Sequence, residues 1–515
     1  MAGPMNVLDR IIRAVSPQAY CRRMFWREEA RYYDAARRDR FGENWLPPGS
    51  LSAENTDRPH RTLIRARARD LERNNAIVRG LLDGLERNVI GGGILPQPAV
   101  ASRRGTPRED INTRISECWA DWSKRGSCDI AGAFDFQEFQ RLYLRRTIVD
   151  GDVFVIMTTP PEGAKYPFAL QAVEADLLAE DLGQTPEGRK VYGGVEVDDY
   201  MRPLAYWFRL DPMSMKTADL VRVPAERVIH GCHRSRAPQI RGISALAGVM
   251  EPVRDIGEYV DSELKAARIA GSMTGVVKTA SGAGRIGRMN TRSGAGGSPI
   301  ESIELGTLNY MNPGDEVAFP QPGRPNVAAG GFIAVITRHI AVGMGLSYEA
   351  ISRDLSQVNY SSIREGRLQD IKTYEQYQKD IVETFCAPIY AAWLDAMVLG
   401  GFLNLPGYWA DRSKYGKVRW IRPGWSWVDP AKEATAAEKS LALGTTTLQE
   451  VCGYEGKDWQ EVLRQRQREQ KFIAELGVVL GGSDGADESS SAPGASPAGS
   501  GEDQNGEVSA AHDDA

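Results

Sequence analysis

Residues 345–370, GLSYEAISRDLSQVNYSSIREGRLQD, change character twice. They start at the end of an apolar run, residues 326–346, and finish inside an amphipathic one. Both runs carry helical spacing. The first is hydrophobic almost all round, so a helix made from it must be packed on every side. In the second, Ile371, Tyr374, Ile381, Phe385 and Trp393 fall near one face of a helix that runs to about Leu403, with a kink expected at Pro388. Ser362 and Glu365 have capping-box spacing and mark the start of that helix. The loop between the runs, SRDLSQVN, is polar, with one charge of each sign and no His, Cys or acidic pair. What such a loop touches is the first functional question.

Upstream, residues 243–270 form another helical run, with Val253, Ile256, Val260, Leu264 and Ala267 on one face. Such a helix reaches roughly 42 Å, less if Pro252 bends it. Residues 60–90, 111–124 and 136–147 also have helical spacing, and the preceding WLPPGSLSAENTDRP reads as a loop from its Pro, Gly and Ser content. Next come DVFVIMTT, FALQAVEA, KVYGGVEVD, PLAYWFRL and ERVIHGCH. These short β-branched or aromatic runs, broken by Gly, Pro and Asp, have the pattern of a mixed or antiparallel sheet. KVRWIRPGWSWVDP adds a strand, and a helical module follows to residue 480. The class is therefore α+β.

Charge is unevenly placed. The net charge is −5, but residues 481–515 hold eight acids and no Lys or Arg, which leaves 63 bases against 60 acids in the rest. That acidic Ser/Gly/Pro/Ala tail has the composition of a disordered segment. The first eighty residues carry sixteen Arg, ten acids and no Lys. A near-neutral body argues against a surface built to grip DNA tightly, which needs a basic stripe. No run of about 18 apolar residues marks a membrane span, and the basic, amphipathic N-terminus lacks the apolar core of a secretory signal. Six scattered cysteines without a CxxC fit neither a disulfide framework nor a zinc knuckle and read as reduced cytosolic thiols.

The chemical motifs are weak. GAGRIG, residues 282–287, matches GxGxxG, but RMNTRSGAGGSP after it is a poor helix and gives no N-terminus to face a pyrophosphate. HGCH places His230 and Cys232 on one face of a strand and His233 on the other, without a second ligand pair in the sequence, so no metal is expected. Asp150, Asp152, Glu174, Asp176, Glu180 and Asp181 read as solvated acids at strand ends and turns. Trp420, Trp425 and Trp427 read as buried aromatics on a sheet. GxSxG, P-loop and HExxH motifs are absent. The expectation is no enzyme, no catalytic residues and no cofactor.

Ordered blocks across residues 226–451 resemble tailed-phage portal proteins of the lambda type. ERVIHGCHRSRAPQIRGISALAGVMEPVRDIGEYVDSELKAARIA is similar to that family's strand, Arg-rich turn and first stem helix. LNYMNPGDEVAFPQPGRPN resembles its return from clip to stem, and IAVGMGLSYEAISRDLSQVNYSSIREG its second stem helix, channel loop and following helix. GWSWVDPAKEATAAEKSLALGTTTLQEV resembles the start of its terminal helical region.

The resemblance implies a ring of identical subunits, a dodecamer, at one capsid vertex, assembled in the host cytoplasm. Double-stranded DNA would pass along its axis in packaging and ejection, without sequence specificity. It also implies an Arg-rich arm at 1–45, a wing at 46–242 and a first stem helix at 243–273. A clip at 274–325, a second stem helix at 326–346 and a channel loop at 347–360 would follow. The long helix and returning wing strand would take 361–430, a helical crown 431–480 and the acidic tail 481–515. Expected partners are the terminase large subunit, major capsid and scaffold proteins and head–tail connector proteins, with no membrane. In the channel loop, Arg353 and Asp354 would set a transient grip on phosphate, and Gln357 and Asn359 would make weak contacts. Arg285, Arg288 and Arg292 would give the clip a basic docking surface. The alternatives are a nucleic-acid-processing enzyme, which needs clustered acids and a basic groove, and another capsid structural protein, which needs longer helices and less strand.

Overall fold

A computed structural model describes residues 52–102, 106–185, 187–209, 220–237, 239–272, 276–279, 315–318, 328–356, 358–425 and 430–476. Helix α1, Ala53–Asn74, starts where the Ser52 hydroxyl accepts from the Asn55 amide, so residues 53–59 are helical, not loop, with Pro59 inside the helix. What holds it is charge pairing: Arg61, Arg65 and Arg69 recur every fourth residue and share one face. At Asn75 the backbone turns extended, and its Oδ1 accepts from the Ile77 and Val78 amides to cap α2, Ala76–Val89. After strand β1, Leu95–Pro98, come α3, Glu109–Trp122, and α4, Phe136–Val149. Asp135 and Glu138 form a reciprocal capping box at the start of α4.

Two antiparallel sheets follow. In the first, β2 (Asp152–Thr158) lies between β3 (Ala169–Val173) and β8 (Val228–Cys232). The second is a meander of β4 (Val191–Tyr192), β5 (Val195–Val197), β6 (Pro203–Arg209) and β7 (Leu220–Pro224). Phe154, Ile156, Tyr206, Phe208 and Val228 form a buried apolar layer shared by the two sheets.

Helix α5, Met250–Ser272, carries Pro252 in its first turn, where the missing N–H leaves no bond unmade, so the expected bend there has no cause. Strands β9 (Val276–Thr279) and β10 (Asp315–Ala318) pair antiparallel. Helices α6 (Ala329–Gly343), α7 (Tyr348–Ser352) and α8 (Tyr360–Ile381) come next. A π-helical turn, Val382–Cys386, joins α8 to α9, Ala387–Leu399. The turn ends two residues before Pro388, which has no N–H to offer the Thr384 carbonyl. Residues 361–399 are long and apolar enough to cross a bilayer by composition, but Phe385, Ile389, Tyr390, Trp393 and Met397 are buried in the protein. Trp393 packs edge-on to Trp119 at 4.9 Å, and Phe385 stacks on Phe136 at 5.7 Å, which fastens α9 to α3 and α4. Short α10, Arg412–Tyr415, precedes β11, Val418–Ile421, which pairs with β1. Trp420 and Trp425 pack on the core as expected; Trp427 lies outside the described residues. Helices α11 (Pro430–Ala442) and α12 (Leu448–Tyr454) complete this unit, and α13, Trp459–Leu476, belongs to a separate one.

The acids read as solvated are largely paired. Arg65 binds Asp176 at 3.0 Å and Glu180 at 3.2 Å, and Arg69 binds Asp150 at 2.8 Å and Asp176 at 2.6 Å. Asp150 and Asp152 are buried. Burial disfavours the charged form of Asp176, but Arg65 and Arg69 outweigh it and hold the carboxyl below its ordinary value; Arg145 and Arg146 do the same for Glu72. A lowered folded-state value contributes stability that is present above the unfolded value and is lost as pH falls through the folded one. Thermal unfolding should therefore show a midpoint that drops below about pH 4.5. Arg69→Ala, which strips Asp150 of its closest cation, should cost about 3 kcal/mol at neutral pH in urea unfolding. A flat acid profile together with a silent Arg69→Ala would contradict this pairing.

Candidate functional site

Three short devices build the loop that interrupts the helices. Ser347 caps α7 by accepting from the Ala350 amide at 3.2 Å. Arg353 ends α7 in the left-handed region, φ 54°, its amide bonded to the Glu349 carbonyl. Asn359 then caps α8, its Oδ1 accepting from the Ser362 amide at 2.9 Å. The Ser362–Glu365 capping box is thus not used: α8 starts two residues earlier, and Glu365 accepts from Gln369 instead. The expected 347–360 includes α7, and between α7 and α8 Arg353, Asp354, Leu355, Ser356 and Asn359 are exposed.

Within it, Asp354 accepts from the Ser356 amide at 3.0 Å. Side-chain and backbone hydrogen bonds from Ser356 hold its carboxyl below the ordinary value. Asp354 therefore shapes the turn. Among the described residues, the Arg353 guanidinium has no hydrogen-bond or ion-pair partner. Leu355 is 56 % exposed at the loop tip. Asn359 is exposed and serves as a cap. Gln357, Arg285, Arg288 and Arg292 lie outside the described residues, as does GAGRIG.

The base of the loop is stapled to α8. Asp370 accepts from the Ser347 amide at 2.7 Å and from its hydroxyl at 2.6 Å. Thr373 donates to the Gly345 carbonyl at 2.7 Å, where Gly345 takes φ +67°, a turn that favours glycine. Burial pushes the Asp370 carboxyl up despite the Ser347 hydrogen bonds. Ile351 anchors α7 in the main core. Sequence spacing missed Asp370 and Thr373 because both sit on a helix face that reads as polar.

Helix α6 packs along α5 on one side. Gly343 approaches Val249 so closely that a Cβ there would meet its methyl at 2.5 Å, and Tyr259 meets Phe332 edge-on at 5.1 Å. Val253, Ile256, Ile340 and Ala341 are buried at that contact. Outside that contact Val260 and Leu264 on α5, and Val335 and Val342 on α6, are 42–78 % exposed, and Phe332 at its edge is half-exposed.

The strand motif HGCH gains a partner that spacing did not offer. Asp152 is fully buried and accepts from His230 Nε2 at 2.9 Å, Arg241 Nε at 2.9 Å and the Gly242 amide at 2.7 Å.

The comparisons with known proteins bear on all of this. The probable portal protein of Halomonas phage phiHAP-1 is 28 % identical over 461 residues, covering 87 % of this chain and 88 % of the relative. Portal protein B of Escherichia phage lambda is 22 % identical over 461 residues, covering 83 % and 86 %. A chain from the neck of a native GTA particle computed with C12 symmetry is similar over 76 % of this chain and 93 % of its own, at 13 % identity and a TM-score of 0.37. The model of the family described as phage portal protein, lambda family, matches residues 38–378, and this chain belongs to that family.

Proposed function

We propose that copies of this chain close into a ring, twelve in number, at one vertex of the capsid, and that double-stranded DNA passes along its axis during packaging and ejection. The observation that carries the ring is the open apolar surface of α5 and α6. Apolar residues exposed at this density mark an interaction surface. A head-to-tail interface between identical copies that closes makes a ring. In this reading α5 and α6 form the stem, β9 and β10 lead into the clip, and the segment 353–359 faces the axis. The family is a structural one, and no catalytic role is proposed.

The charge balance supports a conduit. DNA carries one charge per about 1.7 Å, and a basic bore would hold it by counterion release. A near-neutral body with one unpaired Arg353 per loop gives weak contacts that break as DNA slides. Gln357 and Asn359 add sequence-independent contacts in this reading. Arg285, Arg288 and Arg292 give the clip a basic surface for the terminase large subunit, later exchanged for head–tail connector proteins. Capsid and scaffold proteins are further partners in this reading.

Three experiments separate these assignments. Val335→Asp with Val342→Asp alters exposed residues, so each chain should keep its stability to within about 0.5 kcal/mol. The same double variant should run as monomer in mass photometry; a ring of wild-type mass would contradict the stem interface. Arg353→Ala with Asp354→Ala should leave the ring intact and lower nuclease-protected DNA by roughly threefold; unchanged packaging and retention would remove the loop's role. Replacing Arg285, Arg288 and Arg292 by Ala should weaken terminase binding by about tenfold while rings still form; normal docking of both terminase and connector would remove the clip's role.

A further inference from the structure

We infer that Asp152, His230 and Cys232 form a binding site for a single zinc-class divalent cation in the sheet that supports the stem. The register places them together. Asp152 faces Cys232 directly across the antiparallel β2–β8 pair, and His230 lies two residues before Cys232 on the same strand face. One carboxylate oxygen, one imidazole nitrogen and the thiol sulfur lie within 4.8 Å of one another. In a tetrahedral zinc site with bonds of about 2.0–2.3 Å, neighbouring ligand atoms sit roughly 3.3–3.7 Å apart. Asp152 Oδ1 and His230 Nε2, at 2.9 Å, need to open by a few tenths of an ångström.

The surroundings orient each donor. Asp152 Oδ1 is held by the Gly242 amide and Oδ2 by Arg241 Nε, and Arg241 is itself fixed by donating to the Gly193 carbonyl at 2.6 Å. His230 Nδ1 lies 3.2 Å from the Tyr206 hydroxyl, and Phe154 stacks on the ring at 4.5 Å. Metal-bound histidines usually engage their second nitrogen in this way. Asp152 and His230 are closed off from solvent, while Cys232 is partly exposed and gives an ion, and a fourth ligand from water, a route in. Thiolate with imidazole selects a borderline-soft ion over magnesium or calcium.

Binding is an exchange of a proton for metal. Bonds form from the ion to Cys232 Sγ, His230 Nε2 and Asp152 Oδ1. The thiol proton leaves to buffer, and the neutral imidazole carries its single ring proton on Nδ1, where it donates to Tyr206. The ion would tie β2 to β8 and, through Gly242 and Arg241, to the segment that leads into α5.

Cobalt(II) and zinc report on this directly in the purified full chain. The wild-type chain should hold about one zinc per chain after dialysis, and titration with cobalt(II) should give the intense visible bands of four-coordinate cobalt with a sulfur-to-metal band in the near ultraviolet. Cys232→Ser and, separately, His230→Gln should lower metal retained by at least about tenfold, while Cys128→Ser, a buried thiol elsewhere, should keep it. The cobalt spectrum of the wild-type chain needs no variant and stands if a variant fails to fold. A spectrum like that of cobalt in water, or equal metal in Cys232→Ser, would overturn the site.

Discussion

A carboxylate buried as deeply as Asp152 cannot stay charged without partners, and the partners it recruits set where α5 begins. Arg241 and the Gly242 amide come from the segment between β8 and α5, so neutralising Asp152 pins that segment to β2. Gly242 has no room for a side chain there, because a Cβ would meet the Gly151 carbonyl at 1.9 Å. The same logic extends outward: Arg65 and Arg69 bring α1 onto Asp150, Asp176 and Glu180. The sheets and α1 are thus held by paired charge as much as by their apolar layers, and α5 leaves them from a fixed point.

From that point the balance reverses. Aromatic packing of Trp119, Phe136, Phe385 and Trp393 locks the helix pair α8–α9 into the core, and Asp370 and Thr373 staple the start of α7 to α8. Apolar surface stays uncovered on α5 and α6, and a short polar loop follows α7. An uncovered apolar face and an exposed polar loop are what the proposed channel subunit requires. The face asks for a neighbour and the loop for a weakly bound ligand.

Much of the architecture was legible because periodicity reports burial. The strands Asp152–Thr158, Pro203–Arg209 and Val228–Cys232, and the helices around 111–124 and 136–147, follow from alternation and helical spacing. The portal family was legible too, from the order of its blocks. Long-range charge pairing was not. Spacing alone treats Asp150 and Asp152 as turn acids, and only the return of the chain at Arg241 and the face of Arg65 and Arg69 on α1 shows that they are buried and paired. Caps were also misread: α8 is capped by Asn359, whose Oδ1 accepts from the Ser362 amide, so Ser362 lies inside the first turn and not at the cap. Strand β1, with two prolines in LPQP, gives no strand signal and forms only because β11 pairs with it.

The central claim is that the open faces of α5 and α6 are subunit interfaces around an axial channel. Cryo-electron microscopy of the purified full chain, with mass photometry on the same sample, tests it most directly. The account predicts annular particles with a central hole, a mass near twelve times 56.7 kDa, and Val335 and Val342 buried between adjacent subunits with residues 353–359 lining the hole. A monomer or dimer at every salt and protein concentration, or a ring in which those valines face solvent, would contradict it.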